Sequence, residues 1–481
     1  MEKTLGNAVD NWDLVIAGYS VYPHHLECFF KIQSRDETGH GTLGSFTTKL
    51  WYPGLNLCEQ IRIYGQPAID QVFSLICLFE GSKFVTLRPH AIYLQNCRPT
   101  VEAIALFTDT FHLSYSQCLY ENKALDYRVR VIPTTAPPAT QPLHSQTQSD
   151  AVLLSNGGGK DSYLMMQMLE DSGIPYDVYQ WARSEYGLLG DQHALCDKIV
   201  PPGKVVRRIF ISDDFSRGPF ADIYFPQEKD AMTLGSPESL FAAIPIFLAE
   251  GYRTFLVGNE RSSDTPNLVY DGQDINHQWI KSLEAERLFQ GFLAQLLPQV
   301  RYSSLLKPIG DLGIFERLRR YPVGIPHTHS CNNHKPWCLN CPKCAYVLLG
   351  YRAMFGKAQL EEWFPMTADL LSQPQFMPYF EELLGLRGHR SFECVGEIDE
   401  SRYLLYRCYQ DWLAHPDTPK ETLIERFEAT PGLGDCPPGY WDDLHQRYTC
   451  PDENNSTLDS IFYHQVYGTA YEASYVPPSP V

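Results

Sequence analysis

Positive charge is in short supply in this chain of 481 residues. Its 39 lysines and arginines face 57 aspartates and glutamates, for a formal net charge of −18. Loose affinity for phosphate backbones comes from cations that displace counterions, so this balance argues against nucleic acid as a partner. Long apolar runs are also missing. The best, residues 240–249, is about half of what a bilayer requires and ends at Glu250 and Gly251. The opening residues, Met1-Glu2-Lys3-Thr4-Leu5-Gly6, contain no basic segment leading into an apolar one, so no secretory signal is read. No internal repeat is visible. What remains is an ordinary globular composition, 44% hydrophobic and 20% charged, which predicts a soluble, cytoplasmic protein. Domains of roughly 100–200 residues predict two or three units here.

Fourteen cysteines are present, spread widely except for one tight cluster. In an intracellular chain such clustering points to metal rather than disulfides. Residues 1–131 carry short aromatic and β-branched runs such as Phe29-Phe30-Lys31-Ile32, with helical stretches at 68–79 and 101–114, and predict an α+β domain for substrate recognition. Residues 132–149 hold four prolines within ten positions and predict a linker, because proline cannot donate a backbone hydrogen bond and favours extended chain. From 150 to 355 strands alternate with helices, which predicts a doubly wound parallel α/β domain. One of these helices is expected to be capped by Ser236, to take Pro237 as its first residue and to run to Glu250. Residues 356–450 read as helical, and 451–481 as a poorly ordered tail.

The strongest motif is Ser155-Asn156-Gly157-Gly158-Gly159-Lys160-Asp161-Ser162, entered from an apolar strand and left by an apolar helix. Glycines let a backbone approach an anion, and the N–H groups opening a helix attract negative charge. In this reading Ser155 to Ser162 cradle phosphate, Lys160 adds a cation, Ser162 a hydroxyl donor, and Asp161 holds Mg²⁺. The loop has neither the Walker spacing nor the dinucleotide fingerprint.

A second motif is Cys331-x6-Cys338-x2-Cys341-x2-Cys344. Four thiolates suit a closed, structural Zn²⁺ site. An iron–sulfur cluster is compatible with the same spacing. His334, Lys335 and Lys343 offset the charge of four thiolates or are ordinary surface residues. Gly258-Asn259-Glu260-Arg261-Ser262-Ser263-Asp264 follows a predicted parallel strand, whose carboxyl end faces the ligand crevice in open α/β sheets. Glu260 and Arg261 are therefore expected near substrate, with Asp264 close by. Asp271, His277 and His193 are candidate proton-transfer groups without an assigned role.

Gly158-Gly159-Lys160-Asp161-Ser162 resembles the Ser-Gly-Gly-x-Asp-Ser signature of PP-loop ATP pyrophosphatases, with Gly157 in place of the usual serine. The cysteine spacing resembles the zinc site of the PP-loop enzyme 7-cyano-7-deazaguanine synthase, which favours zinc. A closer resemblance, over most of the chain, is to the ATP-dependent UDP-N-acetylmuramoyl-L-alanyl-L-glutamate epimerases of peptidoglycan biosynthesis. It is carried by Leu119-Tyr120-Glu121-Asn122, the loop, Gly258 to Ser262, Ser330-Cys331-Asn332-Asn333 and Trp337 to Cys344. That resemblance implies ATP and Mg²⁺ as cofactors, structural Zn²⁺, a small peptide or nucleotide-sugar peptide as substrate, and an isomerase that adenylates a terminal L-Glu, inverts it and releases AMP and pyrophosphate. Asp161, Lys160, Glu260 and Arg261 are then the expected catalytic residues. The enzyme alternatives are a PP-loop ligase or amidotransferase, or a deazaguanine-synthase-like enzyme, and the non-enzyme alternative is a zinc-stapled interaction module.

Overall fold

Along His25–Ser34 buried and half-exposed side chains alternate, as in a strand with one face on a core. A computed structural model describes residues 12–35, 41–216, 218–225, 234–433, 435–437 and 439–468. The opening residues read for a signal and the end of the expected tail, 469–481, lie outside the described residues. The strands are β1 (Trp12–Val21), β2 (His25–Ser34), β3 (Thr42–Trp51), β4 (Ile92–Leu94), β5 (Val131–Pro133), β6 (Val152–Ser155), β7 (Tyr176–Arg183), β8 (Val206–Asp213), β9 (Thr254–Val257), β10 (Leu268–Tyr270), β11 (Gln273–Ile275) and β12 (Arg301–Ser304). Among the described residues β10 and β11 form a separate hairpin, and the other ten make one sheet in the order β12-β9-β6-β7-β8-β3-β2-β1-β4-β5.

The sheet is mostly parallel. β12, β9, β6, β7 and β8 pair in parallel, β8 then meets β3 antiparallel, and β3, β2 and β1 continue antiparallel. The two expected N-terminal units therefore share one sheet, with Trp51 opposite Phe210 at the join. Successive residues of the parallel strands enter opposite cores. Leu153, Tyr179 and Phe255 face one, while Leu154, Val178 and Leu256 face the other. Helices Gln66–Glu80 and Leu283–Leu296 contribute to the first core, and Lys160–Asp171 and Pro342–Phe355 to the second, so apolar helices cover both faces of the parallel strands.

Three expectations change in detail. The long helix ending at Glu250 is two helices, Ser236–Ala242 and Ile244–Glu250, with Gly235 rather than Ser236 at the cap position. Pro245 lacks the N–H that a continuous helix would need. The proline-rich stretch is tied down: Leu143 is buried and its N–H donates to the Leu296 carbonyl at 2.8 Å. Residues 451–468, read as poorly ordered, pack against the α/β unit. Tyr467 is buried, and its hydroxyl donates to the Leu305 carbonyl at 2.7 Å. The burial supplied by Tyr463, Val466 and Tyr467 outweighs the polar character of the segment around them.

Where β3 meets β8 a group of charges is closed inside the protein. Arg183 donates both terminal nitrogens to Glu80 at 3.0 Å and one of them to Glu238 at 3.3 Å. Lys83 pairs with Asp213 and donates to Thr48 at 2.7 Å. All five charged residues are at most 2% exposed. Burial pushes Lys83 down to about 8, against the pull of Glu80, and Glu238 up to about 7, against Arg183.

Candidate active site

β6 and β9 are neighbours, yet the chain leaves β6 toward β7 and β8 and leaves β9 toward β12 on the other side. Such a reversal opens a crevice beyond the carboxyl ends of the strands. The glycine loop after β6 and the 258–264 segment after β9 both sit there. They pack closely, since a Cβ on Gly258 would lie 3.2 Å from Asp161 Cβ.

The loop is braced from within. Gly158 has φ +78°, a left-handed conformation that favours glycine, and its N–H donates to Asn156 Oδ1 at 2.8 Å. Gly157 N–H donates to Ser162 Oγ at 3.0 Å, and Asn156 Nδ2 donates to the Cys196 carbonyl at 3.1 Å. Asn156 and Ser162 thus shape the loop from beneath. A Cβ at Gly158 would overlap the His329 ring, with Nε2 only 2.1 Å away. His329 N–H in turn donates to the Gly158 carbonyl at 2.9 Å.

Next to the loop is a cavity of about 150 Å³ lined by Gly157, Gly159, Asp161, Ser162, Lys281, His329, Ser330, Asn332, Lys335, Lys343 and Cys394. Three lysines face it despite the acidity of the whole chain. Among the described residues both His329 ring nitrogens and Ser330 Oγ are buried without a protein hydrogen-bond partner, which is costly unless water or a ligand supplies one. Burial, reinforced by Lys335 and Lys198, pushes His329 down to about 3, so its ring is neutral and has one donor and one acceptor. A phosphate group fits these surroundings: free donors, nearby cations, and a loop with no side chain in the way.

Lys160 does not face the cavity. It is buried beneath the loop, 2.5 Å from Asp161 Oδ1 and paired with Asp311. Burial opposes its charge, but Asp161, Asp311 and Glu260 hold its pKa well above the usual lysine value. Asp161 is the partly exposed member and lines the cavity. Glu260 is buried and absent from the cavity wall. Desolvation would raise its pKa, but Lys281, Lys160, Lys343 and Lys307 hold it at about 2, so it is a fixed negative charge.

Other sequence candidates separate from this group. Arg261 reaches to the Pro308 and Arg447 carbonyls, away from the loop, because the 3₁₀ turn Arg261–Asp264 aims it at helix Tyr440–Thr449. Asp264 pairs with Lys307 at 3.1 Å and accepts the Leu283 N–H at 2.7 Å. His193 is buried against Phe210, and burial lowers it to about 4. Asp271 lies exposed in the β10–β11 turn. Ser155 ends β6 and does not line the cavity.

The four cysteines do meet. Their sulfurs lie within 4.8 Å of one another, with Cys338 and Cys344 at 3.8 Å. Tetrahedral Zn–S bonds of about 2.3 Å put sulfurs roughly 3.8 Å apart. N–H groups of His334 and Asn340 point at Cys331 and Cys338 at 3.3 and 3.4 Å, and Cys344 N–H points at Cys341 at 3.4 Å. Hydrogen bonds from Cys341 and Cys344 hold the Cys331 thiol far below its usual value. The donor set fits a metal, and it joins the site to a scaffold: Ser330 precedes Cys331, and Lys343 lies between Cys341 and Cys344.

Two family models match the chain, one described as the MurL C-terminal domain over residues 327–429 and the other as the MurL N-terminal domain over residues 239–305. Three curated relatives are named UDP-N-acetyl-alpha-D-muramoyl-L-alanyl-L-glutamate epimerase. The chain is 28% identical to the Salinispora tropica protein over 69% of its own length and 72% of the relative's. For the Micromonospora protein the identity is 30%, over 62% and 66%, and for the Xanthomonas oryzae protein 24%, over 82% and 92%. The chain belongs to the MurL family. No solved structure matches it.

The MurL C-terminal match holds His329, Ser330, the four cysteines, Lys343 and Cys394, and the N-terminal match holds Glu260, His277 and Lys281. Sequence reasoning missed Lys281, His329 and Cys394. Ser330 stood in the quoted run Ser330-Cys331-Asn332-Asn333 but was given no role. Lys281 and Cys394 belong to no local pattern.

Proposed function

We propose that the protein is an ATP-dependent epimerase of the PP-loop type. It adenylates the terminal L-Glu carboxylate of UDP-N-acetylmuramoyl-L-alanyl-L-glutamate or a related peptide, inverts the α-carbon to D-Glu and releases AMP and pyrophosphate. The observation that carries this reading is the glycine loop facing Lys281, Lys335 and Lys343 across one small cavity with partnerless His329 and Ser330. The relatives' names supply the substrate class.

In this reading the N–H groups that open helix Lys160–Asp171, with Ser330 and the cavity lysines, hold the phosphates. Asp161 is the carboxylate available to Mg²⁺, which would offset phosphate charge. Lys160 keeps Asp161 and Asp311 in place from below and carries no phosphate itself. Adenylation matters for a simple reason: removing a proton beside a free carboxylate would build a second negative charge next to the first. Once the carboxylate is an acyl phosphate ester, its carbonyl can take up the developing charge, and Lys281 stands where such charge is stabilised. The four cysteines hold a structural Zn²⁺ that fixes residues 330–344 against the loop.

The test combines the purified protein with ATP, Mg²⁺ and UDP-N-acetylmuramoyl-L-alanyl-L-glutamate, with pyrophosphate and D-glutamate as readouts. Stoichiometric pyrophosphate with D-Glu is expected. Pyrophosphate that appears only with ammonia or an amine, without D-Glu, would contradict epimerisation in favour of ligation. Metal analysis is expected to give one zinc per chain, and iron with sulfide would contradict the zinc assignment.

A further inference from the structure

Three segments distant in sequence from the glycine loop meet at the cavity and just behind it. Cys394 lines the cavity there, and its sulfur, a His277 ring nitrogen and a Glu393 carboxylate oxygen lie within 4.8 Å of one another. Gln117, from helix Ser116–Glu121, places its amide oxygen 2.5 Å from His277 Nδ1. An amide oxygen only accepts, so Nδ1 donates to Gln117 and Nε2 is left as the nitrogen that can pair with the Cys394 sulfur; burial opposes charge on the ring, but Cys394 and Glu393 raise its pKa, so Nε2 carries a proton for the thiolate to accept. Glu393 is occupied elsewhere: its Oε1 accepts Asn332 Nδ2 and the Cys394 N–H, both at 2.7 Å. Lys343 donates to the Cys394 carbonyl and ties this cluster to helix Pro342–Phe355.

An acyl phosphate places the α-carbon one bond beyond the carbonyl that carries the phosphate. The base must therefore be a cavity-lining side chain that is not itself packed against the phosphate loop. His329 is on the loop side, against Gly158. Lys281 is a poor base, because Cys394, Glu260 and Asp161 overcome its desolvation and hold it protonated. Cys394 differs. Burial would raise its thiol, but Lys281 and the His277 hydrogen bond bring it down to about 7, with Glu393 opposing them. A thiolate is then available near neutral pH.

We propose that Cys394, positioned and activated by His277, is the base that takes the α-proton of the activated glutamate. This rests on the adenylation reading above. In the step, the thiolate sulfur bonds the α-proton, and the C–H electron pair moves into the carbonyl to give an enolate, stabilised by the Lys281 ammonium. Water delivers a proton to the opposite face of the α-carbon. The His277 imidazolium gives its Nε2 proton to solvent and takes the proton of the new Cys394 thiol in its place, which restores the thiolate–imidazolium pair and balances the cycle.

The test uses the full chain in deuterated water with ATP, Mg²⁺ and UDP-N-acetylmuramoyl-L-alanyl-L-glutamate. Two signals are followed: deuterium at the glutamate α-carbon, and exchange of labelled pyrophosphate into ATP. In Cys394→Ala, deuterium uptake is expected to fall at least ~100-fold, within the range for loss of a general base, while pyrophosphate exchange persists. Undiminished deuterium uptake overturns the proposal. So does loss of both signals in a folded variant, which would make Cys394 a residue of adenylation, or loss of a bound metal equivalent, which would make it a ligand. Absence of both signals in the unsubstituted protein overturns the adenylation reading itself and the proposal with it. Alkylation by iodoacetamide, mapped by peptide mass, gives an independent readout. Cys394 is expected to react with a midpoint near pH 7, and His277→Gln to move that midpoint toward the ordinary thiol value of 9.0. An unmoved midpoint overturns the role of His277.

Discussion

Among the described residues, two of the groups of buried charge are built differently. At the join of β3 and β8, Arg183, Glu80, Glu238, Lys83 and Asp213 are shut away from solvent and paired by charge with one another. At the glycine loop, Lys160, Asp161, Asp311 and Glu260 form a comparable set, but Lys281 and Asp161 turn toward a cavity that also exposes unpartnered His329 and Ser330. A closed network fixes two parts of a sheet. An open one leaves polar groups without protein partners, ready for a ligand, which is how binding sites differ from scaffolding.

The sharpest way to break the comparison is to remove one cation from each group. Arg183→Met leaves Glu80 and Glu238 buried without their cation and is expected to cost about 3–5 kcal/mol in urea unfolding. Lys281→Met is expected to lower the unfolding midpoint less than Arg183→Met, because Glu260 keeps Lys160, Lys343 and Lys307, while lowering ATP-dependent turnover about 100-fold. Equal stability losses would erase the distinction. Next in size is Gly158→Ala, which meets both the φ of +78° and the His329 ring. It is expected to destabilise by about 1–3 kcal/mol and to suppress pyrophosphate release, as seen by unfolding and turnover assays.

A smaller effect is read in pH. Desolvation holds Glu238 near 7, well above its ordinary value of 4.5, so the native state binds this proton over a range where the unfolded chain has lost it. Its contribution is therefore full below about pH 4.5 and lost as pH rises through 7. Unfolding at a series of pH values is expected to show that decline, and Glu238→Gln to flatten it. Arg261→Ala is expected to have the least effect, below about 1 kcal/mol and without change in KM, because the guanidinium binds carbonyls away from the cavity.

Much of this was legible in the sequence where chemistry is local. Three consecutive glycines between strand and helix are a contiguous signal, and so are four cysteines within fourteen residues. Strands with apolar neighbours also betrayed the parallel half of the sheet. Side-chain direction was not legible. Lys160 adjoins the loop in sequence, yet the first turn of its helix sends it inward to Asp311, and Arg261 is turned outward by a 3₁₀ turn. Nor were groups joined only by folding. Gln117, His277, Lys281 and Cys394 come from three separated segments, and the tail at 451–468 is ordered by contacts with Ser303, Leu305 and Pro308.

Adenylation of the substrate carboxylate is the central claim, and oxygen labelling tests it directly. UDP-N-acetylmuramoyl-L-alanyl-L-glutamate carrying ¹⁸O in its glutamate carboxylates would be turned over with unlabelled ATP and Mg²⁺, and the AMP examined by mass spectrometry. The account predicts one ¹⁸O in the AMP formed, delivered when water attacks the acyl carbon. D-Glu formed with all of its ¹⁸O retained and none in AMP would contradict it.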